Sequence, residues 1–240
     1  MRAYKQLTLV IDRSIDTGQR CRASLSWVRH DCRREELALT DARCCSPVFV
    51  DGPIEVPRTW AEGAYAVWYP NQDTRPPVPP NTRAWWIAES DKAASVSDWQ
   101  RGLSAVDRAC ATLGPFAGVL GFSQGGMLSV LMAGMAHHEA LKPRWPNIAF
   151  DFYVTIGSGV ARSKELQPYL LGPFPFPSLH LAGSRDFMLP RTQEVTELFV
   201  GARLETFEGG HAVPRRPEDM RSLVAFIQQQ TSLLKAAARL

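Results

Sequence analysis

The sequence predicts one α/β domain spanning residues 1–240, built on a mostly parallel central sheet with helices on both faces. Three observations predict it. Apolar, β-rich runs alternate with stretches of helical periodicity through the second half of the chain. A glycine-flanked turn joins one of those runs to an apolar helix. A chain of 240 residues that is 45% hydrophobic can bury one sizeable core, and single α/β domains commonly reach this length.

Residues 7–11 (LTLVI) and 47–51 (PVFVD) are short apolar runs bounded by polar or turn residues, and both read as strands. The stretch between them is polar and rich in arginine. From Asp51 to Asn81 prolines recur, densest at 70–82, and since proline continues neither helix nor ladder the segment reads as an ordered surface loop that could cover a site. Trp60, Trp68, Trp85 and Trp86 crowd this region; some could line an apolar acyl pocket, although core packing is the commoner fate of such side chains. Residues 97–113 place Trp99, Leu103, Val106, Ala109 and Cys110 at helical spacing, and Gly114-Pro115 stops that helix. A strand is expected at 116–120, an apolar helix at 124–136, and strands at 150–156 and 178–182. A helix near 191–200, a strand near 203–207 and a terminal helix near 217–230, opened by Pro217 and Glu218, complete the alternation.

Lys and Arg number 27 against 24 Asp and Glu, and a net charge of +3 leaves no electrostatic footprint for nucleic acid or an anionic membrane. A small-molecule partner is expected. No stretch is long enough to span a bilayer. The apolar run near the start is interrupted by Asp12 and Arg13, too early for a signal segment. Cys21, Cys32, Cys44, Cys45 and Cys110 make an odd number with no C-x-x-C spacing, so a reduced, cytoplasmic protein is expected. Cys32 beside His30 lacks ligand spacing, and no metal and no cofactor are expected. The tripeptide Ala238-Arg239-Leu240 is similar to the small-basic-Leu terminus read by the peroxisomal import receptor, a second possible address. Nothing in the sequence sets an oligomeric state.

Gly121-Phe122-Ser123-Gln124-Gly125 matches G-x-S-x-G between an expected strand and an expected helix. A serine on such a tight turn needs small neighbours on both sides, and the backbone N–H of Gln124, at the helix start, then points at a developing oxyanion. Ser158, in IGSGV, also follows a strand, but its flanking glycine is misplaced and no apolar helix follows; it reads as a loop serine. A serine hydroxyl becomes a useful nucleophile when an imidazole takes its proton and a carboxylate orients that imidazole. In the α/β-hydrolase fold the chain order is serine, acid, histidine. Asp186 lies just past the run SLHLAG, and His211 lies in the glycine-lined loop after RLETF, so these two are the candidate orienter and base. His180 alternates within a strand and reads as a core residue, while His137 and His138 end a helix where the dipole favours them.

With these residues in place, the chain resembles the FSH1-type serine hydrolases. VFVDGPIEVP (48–57), GPFAGVLGFSQGG (114–126), PSLHLAGSRDFMLP (177–190) and FEGGHAVP (207–214) carry the resemblance, with the Trp85-Trp86 pair. It implies an α/β-hydrolase fold and an esterase or thioesterase that acts on small acyl esters or thioesters through Ser123, Asp186 and His211 without a cofactor. The chain departs from the family at one place. Members carry a His-Gly pair after the first strand, in a loop that supplies the second oxyanion donor; here Ile11 is followed by Asp12-Arg13, and residues 12–46 are unlike the family. The second donor is therefore expected somewhere within Asp12–Ile15. The alternative is a catalytically weakened homologue that binds acyl ligands without turning them over. A metal-dependent hydrolase would need a His and carboxylate cluster at ligand spacing, which the sequence lacks.

Overall fold

The structure, a computed structural model, describes residues 8–12, 47–68, 71–73, 75, 77, 78, 82–87 and 97–238, with the backbone alone at 8–12, 67 and 68. Expectations that fall on residues 13–46, including Arg13–Ile15, His30 and four of the cysteines, lie outside the described residues, as do the side chain of Trp68 and Arg239-Leu240.

Strands β5 (Phe116–Phe122), β6 (Phe152–Ile156), β7 (Ser178–Gly183) and β8 (Arg203–Phe207) run parallel and neighbour one another in that order. Every residue of β5, β6 and β7 is buried, which is why they read as largely apolar runs without a polar alternation: strands covered on both faces have no solvent side to mark with polar residues. Two further strands extend the sheet beyond β5. Strand β1 (Thr8–Asp12) pairs antiparallel with β5, and β2 (Pro47–Val50) pairs antiparallel with β1, giving the order β2-β1-β5-β6-β7-β8. The sheet is thus mixed, with its parallel part at the centre and at the β8 edge.

The segment expected to be a loop contains structure. A two-stranded ladder forms between β3 (Ile54–Glu55) and β4 (Arg83–Ala84), and helix α1 occupies Arg58–Trp68. This corrects the surface-loop reading for residues 51–68. Prolines bracket the segment but none falls within RTWAEGAYAVW; the Pro57 carbonyl accepts the Ala61 N–H at 3.1 Å, and Ala61 and Tyr65, four apart, are both buried. The described residues of 70–82 form neither helix nor strand.

Helix α2 (Trp99–Leu113) and helix α3 (Gln124–His137) cover one face of the sheet, where Leu103, Leu128, Leu131 and Tyr153 share one core cluster. The opposite face carries α5 (Pro217–Ala237), whose Phe226 and Ile227 pack with Phe152, Val154 and Leu179. Adjacent residues Phe152 and Tyr153 enter opposite clusters, as the two-residue pleat requires. Helix α4 (Leu189–Thr196) begins two residues before the expected start and ends earlier, while α5 continues seven residues beyond 230. No helix among the described residues is long and apolar enough to cross a membrane. Because β5 to β8 are parallel, their carboxyl ends lie along one edge, and the turns after them gather there.

Candidate active site

Ser123 is the single residue between the end of β5 and the start of α3, and it takes φ 54 and ψ −118. A positive φ strains a residue with a Cβ, by about 1–3 kcal/mol, and persists where surroundings enforce it. Here the Ser123 N–H donates to the Ile156 carbonyl at 2.9 Å and its own carbonyl accepts the Met127 N–H at 3.1 Å, so both sides of the turn are anchored. A Cβ on Gly121 would run into the Gly125 carbonyl, and one on Gly126 would lie 2.6 Å from the Ser158 Oγ. The glycines of GFSQGG thus let strand, turn and helix close on one another.

His211 Nε2 lies 3.1 Å from Ser123 Oγ, and Nδ1 lies 3.0 Å from both carboxylate oxygens of Asp186. An ionised carboxylate only accepts, so the imidazole donates from Nδ1 and Nε2 is left to accept the serine hydroxyl. Asp186 is fully enclosed and the His211 side chain nearly so. The turns that carry them are stitched together by backbone: Ser184 N–H donates to Phe207 C=O and Arg185 N–H to Gly209 C=O, both at 2.8 Å. Asp186 Oδ1 also accepts the Met188 N–H at 2.7 Å, which sets the carboxylate's direction. Phe122 and Phe187 pack on the imidazole, with ring centroids 4.9 and 4.7 Å from it.

Two features of the site have no local signal in the sequence. Gly157, just past β6, has φ 52, and a Cβ there would lie 2.7 Å from Asp186 Oδ2 and 3.0 Å from His211 Nδ1. The Asp–His pair therefore rests against a bare backbone. Gln124 contributes more than a main-chain N–H: its side-chain Oε1 accepts the Trp85 N–H at 2.8 Å and its Nε2 donates to the Trp86 carbonyl at 3.0 Å. That clamp joins the turn after β5 to the end of the β3/β4 ladder. Trp85 and Trp86 themselves are buried in the α2/α3 cluster, so packing rather than an open pocket accounts for them.

The oxyanion reading divides. The N–H of Gln124 opens α3, where the first helical donors have no intrahelical acceptor. Asp12 is corrected: it pairs with Phe116 at the start of β5, about 20 Å of strand away from Ser123, because β1 runs antiparallel to β5. Asp12 supplies no donor at Ser123. Ser158 is buried, and its hydroxyl donates to the Gly159 carbonyl at 3.4 Å. His180 bonds through Nδ1 to Thr155 Oγ1 at 2.8 Å and through Nε2 to Ser178 Oγ at 3.0 Å, and burial pushes its pKa down to about 3.

The family model described as serine hydrolase (FSH1) matches residues 17–223, which corrects the reading of residues 17–46 as unlike the family. The chain belongs to the FSH1 serine hydrolase family. Relatives of this FSH1 hydrolase include the mouse protein named Esterase OVCA2, 31% identical over 157 residues that cover 61% of this chain and 68% of that one. The human protein of the same name is 31% identical over 160 residues, with the same coverages. Among solved structures, acyl-protein thioesterase 2 of Zea mays matches with a TM-score of 0.47 at 18% identity, covering 62% of this chain and 72% of its own.

Proposed function

We propose that this FSH1 serine hydrolase cleaves carboxylic esters or thioesters of small acyl molecules through an acyl-enzyme on Ser123. The supporting observation is the unbroken hydrogen-bonded line from Ser123 Oγ through both imidazole nitrogens of His211 to Asp186. Relatives named esterases favour an ester bond over an amide. Ser123 Oγ attacks the acyl carbon as His211 Nε2 takes its proton, and Asp186 stabilises the imidazolium that results. The N–H of Gln124 donates to the oxyanion. Collapse of the tetrahedral intermediate breaks the bond to the leaving oxygen or sulfur, which receives the proton from Nε2. Water repeats the sequence in reverse, with His211 again acting first as base, and releases the acid.

Ser123→Ala tests the reading directly. It should abolish labelling by a fluorophosphonate and lower p-nitrophenyl butyrate turnover by roughly 10³- to 10⁶-fold while the circular dichroism spectrum stays the same. Labelling that persists in Ser123→Ala overturns it. The placement of Asp12 away from Ser123 favours a second reading, a weakened homologue that holds acyl ligands. Stoichiometric labelling without measurable ester turnover would be its signature.

A further inference from the structure

Phe187 directly follows Asp186 in the turn between β7 and α4, and it is 44% exposed, unlike the aromatic side chains of the two core clusters. Its ring lies 4.7 Å from that of His211 and tilted 44° to it. The backbone on both sides is fixed. Arg185 N–H donates to Gly209 C=O at 2.8 Å, Met188 N–H to Asp186 Oδ1 at 2.7 Å, and Leu189 N–H to Asp186 C=O at 3.0 Å. The turn therefore holds a large apolar side chain half in water, against the imidazole. A phenyl ring gains by being covered, and a substrate at Ser123 is the molecule that would cover this one.

We propose that Phe187 is a specificity-determining residue whose ring packs against the leaving group of the ester or thioester. The inference rests on the reading of Ser123 as nucleophile and His211 as base. In that chemistry the new bond joins Ser123 Oγ to the acyl carbon, and the bond that breaks releases an alkoxide or thiolate that must be protonated by Nε2. Proton transfer requires the leaving atom to come within about 2.6–3.2 Å of Nε2. Whatever is attached to that atom lies beside the imidazole, where Phe187 stands. The acyl chain departs from the other side of the tetrahedral carbon and has no such tie to His211. Phe187 thus favours aryl or longer alkyl alcohols and thiols as leaving groups, and is indifferent to acyl length.

The experiment measures kcat and KM for the parent chain, Phe187→Ala, Phe187→Thr and Phe187→Leu on two substrate series. One series holds the acetyl group and varies the leaving group through methyl, hexyl, phenyl and 2-naphthyl. The other holds p-nitrophenol and varies the acyl group from acetyl to octanoyl. Phe187→Ala and Phe187→Thr should raise KM by roughly three- to tenfold more for hexyl, phenyl and naphthyl acetates than for methyl acetate, and give a constant ratio to the parent along the acyl series. Phe187→Leu should recover most of the loss, and the pH dependence of kcat/KM should not move in any variant. A loss that grows with acyl length, an equal loss on every substrate with a shifted pH profile, or no loss at all overturns the proposal. Failure of the underlying reading looks different: Ser123→Ala would keep its turnover and its fluorophosphonate labelling, whatever Phe187 does.

Discussion

Gly157→Ala should separate the geometry of the Asp–His pair from the stability of the fold. The added Cβ would sit 2.7 Å from Asp186 Oδ2 and 3.0 Å from His211 Nδ1. Comfortable contact for a methyl carbon begins near 3.5 Å, so the carboxylate or the ring must retreat by about 0.5–0.8 Å. The backbone adds its own strain, since φ at this position is 52 and a left-handed alanine costs roughly 1–2 kcal/mol. For a domain of this size that lowers Tm by about 2–8 °C. A displacement approaching 1 Å in catalytic groups lowers turnover by about 10²-fold, and the loss should fall on kcat with KM little changed. Gly201→Ala is the control. Gly201 has φ 65 in the turn before β8, and nothing lies within 4 Å of its added Cβ, so it takes the same backbone strain without touching the pair. Both variants should melt below the parent by circular dichroism, Gly157→Ala the lower of the two, and only Gly157→Ala should lose p-nitrophenyl butyrate turnover. If Gly157→Ala keeps kcat within about threefold of the parent, or if Gly201→Ala loses as much, the Asp–His geometry does not control turnover and the reasoning fails.

Asp186→Asn places an amide where Nδ1 needs an acceptor; kcat should fall by about 10³- to 10⁴-fold with KM preserved, and adding His211→Ala should make it little worse. A double variant far slower than either single one would show that the two residues do not act as a unit. Gln124→Met preserves side-chain length and the main-chain N–H but strands the buried Trp85 N–H and Trp86 C=O, so urea denaturation should register a loss of about 2–5 kcal/mol. Stability unchanged in urea would mean that the clamp is dispensable. His180 is held neutral by burial, with its pKa pushed down from 6.5 to about 3. Below pH 6.5 the unfolded chain binds a proton that the folded chain refuses, so stability falls with pH, by about 2 kcal/mol at pH 5 from this residue. His180→Gln removes that dependence, and the stability gap between parent and variant should narrow by about 2 kcal/mol from pH 7.5 to pH 5; a constant gap would refute the assignment.

The α/β architecture was legible in the sequence because strands buried on both faces are mostly apolar and lack a polar alternation, and VLGF, FYVTI and SLHLAG show it without any knowledge of their neighbours. The turn at Ser123 was legible for a related reason: a Cβ on Gly121 would run into the Gly125 carbonyl, so strand and helix close on one another there only with glycine before the serine. Asp186 and His211 emerged from chain order and from the turns that carry them, both short-range signals. What the tertiary structure alone decided involves residues far apart in the chain or a choice that periodicity does not encode. An apolar run reads the same whichever way its partner points, so the antiparallel direction of β1, and with it the removal of Asp12 from the site, appeared only when the sheet was assembled. The proline-rich stretch concealed α1 because its breakers flank the helix rather than interrupt it. Gln124 reaches Trp85 across 39 residues, and Gly157 underlies a pair contributed by two later turns. The half-exposed ring of Phe187 likewise depends on where its turn is pinned. Local sequence specifies the strand, the turn and the serine upon it, whereas contacts between distant turns exist only once packing has set the separation of the strands that carry them.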